Sequence, residues 1–202
     1  MITIKEIKKL DDKVINKTIE IFDNEIHDSI LSKLNYNLKY EYLKKFILED
    51  NIYFYVCLFE DQIVGSALLG NKPNDYFTNF SNLKYKIVLN LIINFKFITL
   101  LNIALAFLQI DIFHLKKENK IMINNNLNLT LVAINRNFQS KGIGKLFLEK
   151  IFINFKKKNM NLITLEADNL RSISFYKDKL DFKIIGKKIR LFKNQTILIK
   201  NF

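Results

Sequence analysis

Apolar and polar positions alternate from Ile2 to Ile7, which predicts a first strand. Asp11 or Asp12 then stands where a helix cap belongs, with a helical run reaching about His27. Leu38 to Glu49 predicts a second helix. Ile52 to Phe59 is a continuous apolar run, and the polar turn Glu60-Asp61 joins it to Gln62–Leu69 as a hairpin. Leu127 to Ile134 again has strand character. Lys141 to Lys158 follows with Ile143, Leu146, Phe147 and Ile151 at helical spacing. Leu162 to Ala167 predicts a strand, about Leu170 to Leu180 a helix, and Phe182 to Lys187 another strand. Ile189 to Phe192 and Gln195 to Lys200 close the chain as strands around Lys193-Asn194. The order is β-α-α-β-β-insert-β-α-β-α-β-β, an α/β (α+β) pattern.

The stretch from 71 to 123 departs from this rhythm. Ile87 to Leu108 is 22 residues long with a single charge, Lys96, enough to span a bilayer. Asn90, Asn94, Lys96, Thr99 and Asn102 interrupt it, and a central Lys is costly in lipid. A span would also have to leave and return between two strands of one sheet. The pattern therefore predicts two or three helices packed over one end of the sheet. In a helix, Asn90, Asn94, Asn102 and Gln109 share an arc of ~120°, which predicts one more polar face. The expectation is a water-soluble insert and no stable membrane insertion.

Length sharpens this picture to one domain, 1–202, with the 71–123 insert inside it. The formal charge of +12 suggests an anionic partner. The excess is almost all Lys, with Arg only at 136, 171 and 190. Nucleic-acid sites favour the arginine fork, so no nucleic-acid partner is expected. Abundant Asn, Ile, Lys and Phe without Trp is also what AT-rich codons produce. The lone cysteine, Cys57, sits in an apolar strand and reads as a buried thiol. With no signal-like segment at Met1 to Glu6, a cytoplasmic location is the expectation. His27 and His114 read as structural or exposed, and no acid, His or Cys clustering suggests a metal.

Candidate chemistry centres on Gln139-Ser140-Lys141-Gly142-Ile143-Gly144-Lys145, between a strand and a helix. Helix-start N–H groups lack intrahelical partners and the dipole favours an anion there. A Walker A loop needs a hydroxyl where Leu146 stands. A dinucleotide fingerprint needs a glycine where Phe147 stands. What remains is Gln139-x-x-Gly142-x-Gly144. Downstream, Asn169 ends a strand-like run and Tyr176 follows seven residues later, before Leu180-Asp181-Phe182.

These two motifs, in this order and context, resemble the GNAT superfamily of N-acetyltransferases. Asp181 departs from the glycine usual there. The long insert is similar to that of a subgroup including the puromycin-type acetyltransferases. The resemblance implies a central mixed, mostly antiparallel sheet flanked by helices, with the helical insert between strands three and four. It implies acetyl-CoA as co-substrate, held at Val132, Ala133 and Ile134 along the pantetheine and at Gln139 to Lys145 and Asn169 around the phosphates. Asn169 has a second reading, as a helix cap. Tyr176 would protonate the departing thiolate. Its plain alternative is a buried core aromatic. Glu166 would take the amine proton, directly or through water, or serve as a strand-end ion pair. The implied partner is a small-molecule amine, with a homodimer left open. The implied function is direct acetyl transfer to a primary amine in a ternary complex. The alternative is a non-catalytic acyl-CoA-binding or regulatory domain of the same fold.

Overall fold

Strand pairing begins where alternation begins. β1 (Ile2–Ile7) lies antiparallel to β2 (Ile52–Phe59), which turns back as β3 (Gln62–Gly70). Glu60 and Asp61 make that turn with left-handed backbones, at φ 49° and 63°. The structure, a computed structural model, describes residues 1–27, 29, 31–49, 52–70, 81–107, 112–115, 127–158, 160, 162–190 and 193–201.

Between β1 and β2 run α1 (Asp12–Glu25) and α2 (Tyr36–Leu48). Asp11 caps α1 by accepting from the N–H groups of Lys13 and Val14, and Asn35 caps α2 through Leu38. Each side chain satisfies N–H groups that the helix start leaves orphaned. After β3 come α3 (Ser81–Ile93), α4 (Phe97–Phe107) and β4 (Ile112–Leu115). Then follow β5 (Leu127–Ile134), α5 (Ile143–Lys157), β6 (Leu162–Ala167), α6 (Leu170–Ser174) with a π-helical turn (Phe175–Lys179), β7 (Lys183–Arg190) and β8 (Lys193–Asn201).

The strands form one eight-stranded sheet in the order β1-β2-β3-β5-β6-β8-β7-β4. Among the described residues, only β5 and β6 run parallel. On one face, α5 and the Tyr176 segment bury Phe147, Ile151, Phe155 and Phe182 against Tyr55, Leu69, Leu129 and Leu165. On the other, α1, α2 and α3 bury Ile15, Phe22, Leu43, Phe46 and Leu91 against Phe54, Val56 and Leu68. A buried hydroxyl pair, Thr18 and Ser66 at 2.9 Å, ties α1 to β3. Cys57 is fully buried in β2, as its apolar strand predicts.

The insert differs from the sequence expectation in two ways. It is not purely helical: β4 extends the sheet edge, pairing His114 opposite Lys187. The predicted polar arc is also divided, with Asn90 buried and Asn94 exposed. Asn90 is buried and its side chain accepts the Asn35 N–H at the start of α2, while its carbonyl accepts from the Asn94 amide. The face turned outward is apolar. A buried polar group needs a partner, and the α2 cap region offers one, so asparagine goes inward. Gln109 lies outside the described residues, as does the remainder of 71–123. Among the described residues, no helix is long and apolar enough to cross a membrane.

Candidate active site

A fork in the sheet organises the site. β5 and β6 pair only from Leu127 to Leu129 and Ile163 to Leu165. Beyond that point β5 continues to Ile134 with β3 alone beside it, Val132 opposite Ala67 and Ala133 opposite Ser66. Among the described residues, the edge of Val132, Ala133 and Ile134 that faces β6 is therefore without a strand. The cause is local. Thr130 is one extra residue on β5, since Leu129 opposes Leu69 and Leu131 opposes Leu68. Such a bulge bends its strand and sharpens the twist. The Thr130 hydroxyl oxygen is buried without a hydrogen-bond partner among the described residues. Glu166 is the first residue of β6 past the fork.

The loop 139–145 stands at the open end of β5. Ser140 and Gly142 adopt left-handed backbones, at φ 60° and 77°. Gly142 is the N-cap of α5 and offers no side-chain cap. Among the described residues, the N–H groups from Ser140 to Lys145 donate to no backbone or side-chain acceptor. Gly142 earns its place through φ, since an added Cβ there would meet nothing within 4 Å. At Gly144 a Cβ would rest 3.7 Å from Ile134 and Phe175, an ordinary contact. Lys141 lies over the Phe138 ring and Lys145 sits 3.7 Å from Glu149, so both cations stay near the loop.

Gln139 has a different part from its neighbours. Its amide nitrogen donates to Glu25 (2.9 Å) and to the Ile134 carbonyl (2.7 Å), and its amide oxygen accepts from Arg171 (3.1 Å). Its backbone N–H goes to Arg136. The side chain thus fastens the loop to α1, β5 and α6. Glu25 completes the fastening by accepting the Arg136 N–H at 2.9 Å. Neither Glu25 nor Arg171 stands out in the sequence. Glu25 is 114 residues from Gln139, and nothing local marks it.

Asn169 caps α6, accepting the Ser172 N–H at 2.8 Å. Tyr176 follows in the π-helical turn, a distortion that widens the helix by one residue and recurs at functional sites. Its ring packs edge-on to Phe175 and Phe182 and is 8% exposed. Burial pushes its phenol well above the usual range. Glu166 is occupied: its carboxylate accepts from Lys188 at 2.9 Å, reaching across β8 to β7. Lys188 is itself buried. His27 is exposed, two residues beyond Glu25.

Fork, anion-ready loop and buried tyrosine in this topology define the GNAT acetyltransferase fold. Residues 105–182 match the model of the acetyltransferase (GNAT) family, a stretch holding the loop, Glu166, Asn169 and Tyr176. Similar solved structures include agmatine N-acetyltransferase (TM-score 0.62, 9% identity, 100% of both chains). The polyamine N-acetyltransferase of Drosophila melanogaster is similar too (TM-score 0.59, 9% identity, 100% of both chains). So is the PaiA N-acetyltransferase of Thermoplasma acidophilum in complex with coenzyme A (TM-score 0.58, 14% identity, 100% of this chain and 99% of that one). At these identities the likeness is one of fold. No curated protein matches by sequence.

Proposed function

We propose that the chain is an acyl-CoA-dependent N-acetyltransferase that moves an acetyl group from acetyl-CoA to a primary amine by direct attack in a ternary complex. The observation that carries this reading is the juxtaposition of unused N–H groups from Ser140 to Lys145 with the unpaired edge of β5. One suits a pyrophosphate. The other suits an extended amide-bearing arm, bound as an added strand. The family match over 105–182 and a neighbour solved with coenzyme A support the same cofactor. The neighbours named for agmatine and polyamine support an amine as acceptor.

When bound, the thioester supplies an activated acyl group. Tyr176 would hold the proton that the leaving thiolate takes. A phenol raised by burial stays protonated at neutral pH. A thiolate emerging in the same dry surroundings has its own pKa raised, which keeps the transfer feasible. Glu166, past the fork, would receive the amine proton directly or through water once the acceptor competes with Lys188. Asn169 would order the start of α6 beside the cofactor.

The Lys188–Glu166 pair favours a second reading, an acyl-CoA-binding domain without turnover, because the pair removes the free base. One experiment separates the two. Calorimetry measures acetyl-CoA binding, and thiol release is followed over a panel of amines. Binding with turnover on at least one amine supports the enzyme. Binding without turnover on any amine supports the second reading, and absence of binding overturns both.

A further inference from the structure

The hairpin α3–α4 carries an unusual outward face. Tyr85, Val88, Leu89, Ile92 and Ile93 are all exposed, Tyr85 to 79%. At 3.6 residues per turn they fall within an arc of about 140°, opposite the buried Leu83, Ile87 and Leu91. α3 is thus apolar on both sides, one facing the core and one facing out. The turn Asn94–Lys96 then reverses the chain, with Phe95 in a left-handed backbone at φ 55°. Phe95 and Phe97 stand together at 6.0 Å, 78% and 58% exposed. Ile98 and Leu101 of α4 are exposed as well. Single exposed apolar residues need no explanation, but five on one face of α3 beside an exposed pair of rings mark an interaction surface.

Charge decides which surface it fits. Residues 81–107 contain three lysines, Lys84, Lys86 and Lys96, and no Asp or Glu. Lys86 pairs with Glu41 on α2, while Lys96 stands exposed at the tip of the hairpin. Exposed apolar side chains, aromatic rings at the tip and the exposed Lys96 beside them, in a hairpin without acids, suit a membrane interface, where apolar groups enter and a cation meets the headgroups. The whole chain at +12 adds attraction to an anionic leaflet. The same charge opposes burial of this face against a second copy, which would bring like-charged hairpins together. α3, at 13 residues, is about 20 Å long and too short for a ~30 Å hydrocarbon core. We infer that the α3–α4 hairpin docks this protein reversibly onto an anionic lipid surface, lying on the bilayer and not through it.

The test uses the full chain with vesicles of phosphatidylcholine alone or mixed with phosphatidylserine. The protein should sediment with the mixed vesicles, be released by high salt, and leave pure phosphatidylcholine largely unbound. The chain has no tryptophan, so Phe97→Trp places one reporter at the tip. Its emission should shift to the blue on the mixed vesicles. Leu89→Glu with Ile92→Glu should weaken binding at least about tenfold. Leu89→Ala with Ile92→Ala, which adds no charge, should weaken it by a smaller factor in the same direction. No sedimentation with the mixed vesicles would overturn the proposal. So would unaltered sedimentation of both double variants. A vesicle-free dimer that Leu89→Glu with Ile92→Glu splits into monomers would overturn it in favour of a second copy.

Discussion

The loop end of the molecule and the α3–α4 hairpin are held in opposite ways. At the loop, one amide makes three directed bonds, from Gln139 to Glu25, Ile134 and Arg171. The hairpin is held chiefly by a stripe of Leu83, Ile87 and Leu91, helped by Asn90 and the exposed Lys86–Glu41 pair. Directed bonds fix a loop's shape to a fraction of an ångström. Apolar contact fixes only that a face is covered. The first suits a site that must present N–H groups to a ligand, and the second suits a surface free to meet another apolar phase.

The largest expected effect lies on the directed side. Tyr176→Phe keeps the ring packed on Phe175 and Phe182 and deletes only the proton. Under the proposed mechanism kcat should fall by roughly 10²–10⁴, with acetyl-CoA affinity nearly unchanged in calorimetry. Wild-type turnover with chemistry rate-limiting would sink the acid role.

Next comes the apolar side. Ile87→Ala empties a site that is 2% exposed and should cost about 2–4 kcal/mol in urea unfolding. Its acetyl-CoA affinity should stay close to wild type. A large loss of affinity without loss of stability would break the contrast between the two regions.

Gln139→Ala probes the other pole. Losing three partly exposed hydrogen bonds should cost about 2 kcal/mol of stability. Here acetyl-CoA affinity should fall as well, because the loop loses its ties to α1 and α6. The ratio of the two effects in Ile87→Ala and Gln139→Ala is the sharp form of the comparison.

The smallest effect concerns Cys57. Burial raises its thiol from 9.0 to about 11. The folded state therefore keeps the proton that the unfolded state gives up first. This contribution to stability is intact below pH 9.0 and is lost as pH rises toward about 11. The native protein should resist thiol reagents at pH 8 and react fully once unfolded. Cys57→Ala should remain active, as no acyl carrier is invoked.

Legibility follows the same divide. The Asp11 cap, the hairpin turn at Glu60-Asp61 and the left-handed Gly142 are short-range requirements, each satisfied by particular residue types, and they can be read along the chain. The Glu25 latch could not be read, because its partners lie over a hundred residues away and a carboxylate at a helix end is common. The Lys188–Glu166 pair depends on β7 and β6 flanking β8, a matter of topology. Which face of α3 meets the core is not legible, because both faces are apolar. Periodicity locates a stripe but cannot say which of two will meet the core. The short strand β4 pairs only at a sheet edge and has no alternation long enough to betray it.

Thr130 has a further consequence. Leu127 and Leu129 face α5, while Leu131 and Ala133 face α1 and α2. The extra residue between them therefore changes no side chain's proper face when it is taken out. Deleting Thr130 would set Leu129 opposite Leu69 and Leu131 opposite Leu68 as consecutive rungs of an unbroken ladder. The shortened protein should unfold no more easily than the parent, since a buried hydroxyl without a partner goes with it. Its β5 should run straight and close against β6, and acetyl-CoA binding should be lost. In the grammar of the sheet, Thr130 is a silent letter. The word is spelled correctly without it, but it is no longer pronounced the same way.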